Sequence, residues 1–495
     1  MKSLLAAFVM LLAATAVAAV DDEPPNILFI YADDQSHRTV GCYPESFDWV
    51  RTPAIDSLAE NGVRFANAYI GTWCMPSRAT LLTGHHQFGV ESMRMEGAYP
   101  GSEYDPDKCP FWPKHFRENG YQTAHIGKWH TGTDTGMGRD WDYQIVWNRP
   151  KHPSNSGNYY KSQMITFNDG ETKRVEGYTT DNYTKWALEY INGENGREEG
   201  KPWYLWLCYG AVHGPFTPAP RHVRNYAEAE IPVPEDIFGP RPGKPDWMQT
   251  KTAFKKNADG EIMTGNKTFA NAVRQYHEGM LAIDEGVEQL VVALKESGQH
   301  ENTLIVYTAD QGFAWGQHGF RSKVAGYDAT IRAPLIVSMP SRLPSGKVCE
   351  TPVGGVDLVP TFYNFAGLEA PRGFHGNDLT PLLENPAAEW PHPVLLANTW
   401  REYGSNTAEI PEDGGFRNGQ PWYVMVRQGQ FKYIQSLVEG EQDEFYDLSK
   451  EPDELTNLAT NPEYTDRIAQ YREAMKAELK RTAAPFAGAL PTVRR

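Results

Sequence analysis

The stretch CMPSRATLLTG at residues 74–84 combines a single Cys with a Pro two positions later and an Arg four positions later. A Cys with an Arg at i+4 is consistent with a reactive residue on a loop that enters a helix, where the helix dipole and the cation both favour anionic chemistry. A lone Cys is also common as a small buried apolar residue. Cys74 by itself therefore predicts no particular reaction.

Two oxygen-rich pairs follow runs that are predicted to be buried strands. Asp33-Asp34 follows residues 25–32, and Asp310-Gln311 follows residues 303–308. Open α/β sheets bind their ligands at the carboxyl ends of such strands. Carboxylate and amide oxygens suit a hard divalent cation, Ca²⁺ before Mg²⁺ if the protein supplies most ligands. Acidic pairs are also common as helix caps or solvated turns, and it is the position after a strand that favours a metal site here.

Four basic or titratable residues are candidates for the same site. Lys128 and His130 are two apart in GKWH, His213 lies in VHGPF, and Lys323 follows Arg321-Ser322. Lys suits an anionic oxygen, and His carries protons near neutral pH. Each fragment alone is equally consistent with an exposed Lys or a structural His.

The order of the predicted elements indicates an α/β fold. Strands alternate with helices through residues 24–384, which predicts a large doubly wound, mostly parallel sheet flanked by helices. Short strands at 423–427, 431–436 and 444–448, followed by a polar helix at 463–481, predict a smaller C-terminal antiparallel sheet-plus-helix subdomain over 385–495. Residues 214–265 are rich in Pro, Gly and charge and predict a long surface excursion.

The N-terminus has the pattern of a signal peptide over residues 1–19. Lys2 precedes an apolar run at 4–12, and Ala16-Val17-Ala18 resembles a cleavage site. The run is too short to span a bilayer, and no later stretch is apolar for long enough. These features predict an exported protein, periplasmic or secreted, without a membrane span.

Composition excludes several other classes. A net charge of −16 argues against nucleic acid as a partner, because no general phosphate-neutralising surface is available. The five Cys are far apart and include no C-x-x-C pair, which excludes a zinc ribbon or a disulfide-framed miniprotein. An odd count suggests one thiol with a separate fate, for which Cys74 is the candidate. Spacing does not reveal how Cys42, Cys109, Cys208 and Cys349 would pair.

Taken together and in order, these motifs resemble the type I, formylglycine-dependent sulfatases of the alkaline phosphatase superfamily. The resemblance extends from Pro25 to about Ala459. Besides residues 74–84, it is carried by PNILFIYADD (25–34), GKWH (127–130), VHGPF (212–216), DQG (310–312), Lys323, RAPLIV (332–337), VDLVPT (356–361), FYDL (445–448), Pro452, Glu454 and NLA (457–459).

The resemblance implies a modified residue and one metal ion. Cys74 would be oxidised to formylglycine by a formylglycine-generating maturation enzyme that recognises Pro76 and Arg78. One Ca²⁺ would lie beside residue 74, and its ligands would be Asp33, Asp34, Cys74 in its modified form, Asp310 and Gln311. The family usually has Asn where this chain has Gln311, so a role for Gln311 behind the metal ligands is a competing interpretation.

The resemblance also assigns roles in sulfate-ester hydrolysis. Arg78 would orient the formylglycine, while Lys128 and Lys323 would bind the sulfate. A hydroxyl of the hydrated aldehyde would attack sulfur while His213 protonates the departing alcohol. His130 would then remove the proton of the second hydroxyl, which expels sulfate and restores the aldehyde.

The substrate implied is a sulfated carbohydrate, either a polysaccharide or its oligosaccharides. A carrageenan-type galactan and a glycosaminoglycan are both consistent with export and with the aromatic residues near the motifs, for which sugar stacking is the expected role. Those aromatics are Trp73, Trp129, Trp147 and Trp315. Two alternatives are a phosphomonoester or phosphonate hydrolase of the same superfamily and a non-catalytic, calcium-dependent glycan-binding protein.

Overall fold

The computed structural model describes residues 23–91, 94–96, 101–168 and 170–494. The predicted signal peptide lies outside these residues. Within them, no helix combines the length and the apolar character needed to cross a bilayer. The five Cys are all described, and none of them forms a disulfide.

The fold is built on one large mixed sheet. Strands 303–309, 26–32, 203–208, 122–129 and 143–148 are adjacent in this order, and each is parallel to the next. Antiparallel pairs occur on both sides of this central block. The strands of the sheet are Asn26–Ala32, Val63–Tyr69, Gln122–Trp129, Tyr143–Asn148, Gln163–Phe167, Thr172–Val175, Trp203–Cys208, Thr303–Ala309, Ala333–Ser338, Lys347–Cys349 and Val353–Gly354.

Helices cover this sheet, which explains why the central strands are continuous apolar runs. In strand 26–32 every residue after Asn26 is buried, as expected for a strand covered on both faces. Helix 269–296 packs against helices 179–191 and 53–60, while Phe362 of helix 358–366 meets the ring of Phe29 edge-on at 5.3 Å. The α-helices are Pro53–Glu60, Cys74–Thr83, Pro113–Glu118, Thr179–Ile191, Phe269–Glu296, Asp328–Ile331, Leu358–Ala366, Thr380–Glu384 and Thr465–Arg481.

A second, smaller sheet follows toward the C-terminus. Its four antiparallel strands are Val394–Asn398, Tyr423–Gln428, Phe431–Ser436 and Glu444–Asp447. Helix 465–481 packs on this sheet through Ile468, Met475 and Leu479. A separate apolar cluster joins Met425 and Ile434 of the small sheet to Tyr69 of the large one.

The predicted fold class is confirmed. The strands that the sequence did not predict are mainly 143–148, 163–167, 172–175 and 394–398. The first three lie on one side of the large sheet, where polar residues interrupt the apolar pattern. Residues 214–265 contain only short 3₁₀ turns and strands of two or three residues, as predicted for an excursion. The domain boundary near residue 385 stays a prediction.

Candidate active site

Neighbouring parallel strands deliver the predicted residues to one edge of the sheet. Asp33-Asp34 follows strand 26–32, and Asp310-Gln311 follows strand 303–309, which is paired with it in register. Lys128 lies near the end of strand 122–129, and His213 follows strand 203–208 by a short loop. Residues far apart in sequence therefore meet at the carboxyl ends of the strands.

Cys74 is the first residue of helix 74–83, which ends at Gly84 with φ of +74°. The thiol is 2% exposed, and its Sγ lies 3.7 Å from Asp34 Oδ1 and 2.7 Å from Lys323 Nζ. Arg78 is one helical turn further on and so lies on the same side as Cys74. Its Nη1 donates to the Lys128 carbonyl at 3.1 Å, and its Nη2 pairs with Asp310 Oδ2 at 3.5 Å.

Carboxylates and cations alternate around Cys74. Asp33, Asp34, Cys74 and Asp310 each offer a ligand atom, and these four atoms all lie within 4.8 Å of one another. Lys128 forms a buried ion pair with Asp33, and Lys323 forms a partly buried one with Asp34. With Arg78, three cations thus face three carboxylates.

The donor set fits a hard divalent cation. Asp33 Oδ1 and Gln311 Oε1 are buried and have no hydrogen-bond partner among the residues that the structure describes. Buried oxygens of this kind require a partner, and they are the ligand type that Ca²⁺ prefers. The Gln311 Nε2 donates to Asp34 Oδ1 at 2.5 Å, so this amide also orients a carboxylate of the cluster. Both interpretations of Gln311 therefore have a geometric basis, and its direct ligation stays a prediction.

The pKa values of Asp33, Asp310 and Cys74 are shifted in different ways by burial and by neighbouring charges. Burial favours protonation, but the charge of Lys128 dominates and holds the pKa of Asp33 well below its ordinary value. Burial and the neighbouring Asp33 carboxylate raise the pKa of Asp310 well above its ordinary value. Burial, followed by Asp33, raises the pKa of the Cys74 thiol to about 12. The unmodified Cys74 is therefore a protonated thiol and a poor nucleophile.

The two histidines differ in their surroundings. His213 Nε2 lies 3.5 Å from Asp34 Oδ2, and its Nδ1 lies 2.9 Å from the Gly214 carbonyl. The His213 ring stacks on Tyr159 with centroids 3.9 Å apart. Burial lowers the pKa of His213 to about 4, although Asp34 opposes the shift. Burial and the charge of Arg149 hold the pKa of His130 well below its ordinary value.

Sequence reasoning missed Arg149 and Tyr159, both of which contact a predicted catalytic histidine. Both residues come after strand 143–148, which the sequence did not predict. Arg149 follows the strand directly, and Tyr159 follows the turn beyond it. An extension of the predicted sheet by one parallel strand would have placed Arg149 at the site edge.

The expected sugar-stacking role is wrong for three of the four tryptophans, because they are buried. Trp129 is 1% exposed and Trp147 is fully buried, so neither offers a ring face to a substrate. Trp315 is also buried and packs against Phe216 at 4.9 Å. Trp73, directly before Cys74, is partly exposed.

Comparison with known proteins identifies the class. A sequence model described as sulfatase matches residues 25–368, and one described as N-sulphoglucosamine sulphohydrolase, C-terminal, matches residues 316–482. N-acetylglucosamine-6-O-sulfatase of Bacteroides thetaiotaomicron is 28% identical over 513 residues, covering 92% of this chain and 86% of that protein.

Solved structures share the fold. A protein solved with its substrate D-glucosamine-2-N,6-O-disulfate superposes with a TM-score of 0.76 at 24% identity, covering 93% of this chain and 98% of that one. A phosphonate monoester hydrolase of Agrobacterium radiobacter superposes with a TM-score of 0.66 at 21% identity, covering 92% and 96%. The chain belongs to the sulfatase family of the alkaline phosphatase superfamily and is a sulfuric ester hydrolase.

Proposed function

We propose that this protein removes sulfate from a sulfated carbohydrate, either a polysaccharide or its oligosaccharides, with a formylglycine made from Cys74 as its nucleophile. The observation that carries the proposal is the meeting of Cys74 with three carboxylates and three cations at one sheet edge. The name of the Bacteroides relative, which acts on N-acetylglucosamine 6-O-sulfate groups, supports a sugar substrate.

The modification supplies what the thiol lacks. A hydrated aldehyde at position 74 provides a hydroxyl that attacks sulfur and a second hydroxyl whose deprotonation releases the sulfate. Because Cys74 is 2% exposed at the start of a packed helix, the maturation enzyme must act before this region folds. The proposed partner therefore recognises the extended segment around Pro76 and Arg78 rather than the folded protein.

The proposed metal ligands are Asp33, Asp34, Asp310 and Gln311, together with modified residue 74. A bound Ca²⁺ would supply positive charge that stabilises the anionic sulfate group. Lys128 and Lys323 add two fixed ammonium groups, and Lys323 lies directly beside Cys74. The three cations of the site offset its three carboxylates, so the charge of a bound Ca²⁺ would leave the site positive and would attract an anionic substrate to a chain with net charge −16.

The histidines handle protons in this scheme. His213, partly exposed and next to Asp34, is placed to protonate the departing alcohol. The Gly214 carbonyl accepts from His213 Nδ1, so Nε2 must gain a proton before His213 can give it to the alcohol, and the hydroxyl that attacks sulfur releases one such proton. His130 is buried and neutral, and it is the proposed base for the release of sulfate.

The decisive test is the mass of the tryptic peptide that contains Cys74, from protein made in its own source or in a host with the maturation enzyme. Conversion of the thiol to an aldehyde lowers the mass by about 18 Da, and the product reacts with a hydrazine probe. An unmodified, active protein would overturn the mechanism. Protein from a host without the enzyme is the matched control, and its peptide retains the thiol mass.

A phosphomonoester or phosphonate hydrolase is the second candidate function, favoured by the fold likeness to the Agrobacterium enzyme. Turnover of matched sulfate and phosphate monoesters of one alcohol separates the two functions. We expect a higher kcat/KM for the sulfate ester. A panel of sulfated glucosamines and carrageenan oligosaccharides then identifies the sugar. The proposed location is outside the cytoplasm, and N-terminal sequencing of the mature protein tests cleavage after residue 19.

A further inference from the structure

Arg149 lies beside a catalytic histidine but has no role in the proposed mechanism. It follows strand 143–148, which is parallel to strand 122–129 with Asn148 in register with Trp129. Arg149 thus reaches the sheet edge at the level of His130. Its Nη1 lies 3.2 Å from His130 Nδ1 and 3.3 Å from His130 Nε2.

The Arg149 guanidinium is held in a fixed orientation. Its Cζ lies 5.3 Å from the centroid of Trp147 and 4.8 Å from that of Tyr159. Its Nε donates to the Ser156 carbonyl at 3.0 Å. Two ring faces and one carbonyl therefore restrain a planar group, and such restraint reduces the entropy lost when it binds a ligand.

Arg149 is more exposed than the groups it adjoins. Arg78 and Lys128 are at most 1% exposed and His130 is 5% exposed, whereas Arg149 is half-buried. Lys323 lies at the nucleophile, 2.7 Å from Cys74 Sγ, while Arg149 contacts the histidine next to it. The Tyr159 ring joins Arg149 to the groups proposed to bind and protonate the substrate, since its centroid lies 4.8 Å from Arg149 Cζ, 5.2 Å from Lys128 Nζ and 3.9 Å from the His213 ring.

We propose that Arg149 is a specificity-determining residue that binds a second anionic group, a carboxylate or a further sulfate, on the sugar that carries the scissile sulfate. This inference rests on the proposed carbohydrate sulfatase function. The planar N–H pair of a guanidinium matches two oxygens of a carboxylate or sulfate, which a Lys ammonium does not. Because the guanidinium is held in one orientation, it selects the position of the second anionic group as well as its charge.

The experiment compares kcat/KM for three substrates. N-acetylglucosamine-6-sulfate carries one anionic group, D-glucosamine-2-N,6-O-disulfate adds a second sulfate, and a 6-sulfated disaccharide with a uronic acid adds a carboxylate. In Arg149→Gln we expect the preference for a doubly anionic over a singly anionic substrate to fall about tenfold or more. If the disulfated substrate loses its higher kcat/KM, Arg149 binds a second sulfate. If the substrate with the uronic acid loses it, Arg149 binds a carboxylate.

Two further variants make the result specific. Lys151→Gln removes a cation from the same loop at an exposed position, and we expect the substrate preference to stay unchanged. Arg149→Lys keeps the charge but loses the planar fork, and we expect an intermediate preference. An unchanged melting temperature of each variant shows that it folds.

The outcomes separate this inference from the proposed function. Equal losses on all three substrates would show that Arg149 acts on the scissile sulfate or on His130, and would overturn the inference. An unchanged preference in Arg149→Gln would overturn it as well. If the wild-type protein releases sulfate from an aryl sulfate but from neither these sugars nor carbohydrates sulfated at other positions, the carbohydrate function itself falls, and the inference with it.

Discussion

Two buried clusters in this protein contain the same kinds of charged residue but differ in how these are paired. The active-site cluster has Asp33, Asp34 and Asp310 opposite Arg78, Lys128 and Lys323. The junction cluster, between the two sheets, has Asp328, Glu444 and Glu454 opposite Lys244, Arg332, Arg427 and Lys432. Each cluster therefore sets three carboxylates against three or more cations.

In the junction cluster each carboxylate has several partners from different elements. Asp328 pairs with Lys432 and with Arg427 at 3.1 Å, and it accepts from the Tyr69 hydroxyl at 2.7 Å. Lys432 also lies 2.6 Å from Glu454 Oε1. Well-paired charges in a closed environment fix the geometry of two packed elements.

In the active-site cluster the pairing is incomplete. Asp33 Oδ1 and Gln311 Oε1 lack partners among the described residues, and the side chains of Lys323 and His213 are 17% and 26% exposed. The comparison shows that charged residue types do not distinguish function from structure. Access from outside does distinguish them. Glu454 Oε1 of the junction also makes no hydrogen bond, but Lys432 Nζ lies 2.6 Å from it, whereas the Gln311 amide oxygen has no such partner among the described residues.

The largest effect is expected at the nucleophile. In Cys74→Ala, sulfate release should fall at least about 10⁴-fold because the variant has no residue that can become formylglycine. Sulfate release is measured by ion chromatography. The melting temperature should change little, since a small side chain is replaced by a smaller one. Residual activity within tenfold of wild type would contradict the assignment.

The next test makes the same substitution in both clusters. Lys432→Met should lower the free energy of unfolding by about 3–5 kcal/mol, because it removes the buried cation that pairs with both Asp328 and Glu454. Lys323→Met should instead reduce kcat/KM by about 10²–10³-fold through loss of charge at the sulfate. Denaturant unfolding and sulfate release are measured for both variants.

The control for this pair is Lys450→Met, since Lys450 is exposed and pairs with Asp447 at the surface. It should change neither quantity noticeably. Loss of activity without loss of stability in Lys432→Met would break the distinction between the two clusters.

Removal of Ca²⁺ should affect the active-site cluster alone. A chelator should abolish activity and lower the melting temperature, because an ion at a hundredfold excess over its Kd stabilises the folded state by about 2.7 kcal/mol. Calcium should restore both quantities, and magnesium should do so less well. In Asp34→Asn the melting temperature should depend little on calcium. A chelator-insensitive wild-type protein would argue against a metal at this site.

The smallest effect concerns the pH dependence of the junction. Burial raises the pKa of Glu454 to about 7, although the charge of Lys432 opposes the shift. The folded state then binds this proton more tightly than the unfolded state does. The stability contributed by Glu454 is complete below its unfolded pKa, near 4.3, and is lost as pH rises through about 7.

Glu454→Gln keeps the shape of the neutral acid and removes its titration. Over that pH range, the slope of the unfolding free energy against pH should differ between Glu454→Gln and the wild type by up to about 1.4 kcal/mol per pH unit. Denaturant titrations from pH 4 to pH 8 measure this slope. The same slope in the variant and the wild type would show that Glu454 is ionised throughout.

The sequence alone determined the class of this protein and most of its predicted site. Apolar runs that end in Asp33-Asp34 and Asp310-Gln311 define central parallel strands, because a strand covered on both faces must be apolar throughout. The topology of such strands then brings their ends together. The Cys74 and Arg78 spacing likewise follows from one helical turn.

Only the tertiary structure decided which charges are paired and which neighbours surround the histidines. Strand 143–148 has no strong apolar signature, so Arg149 and Tyr159 could not be placed beside His130 and His213 from sequence. The burial of Trp129 and Trp147 likewise depends on elements distant in the chain. These contacts are long-range, and a local pattern records only which face of its own element a residue occupies.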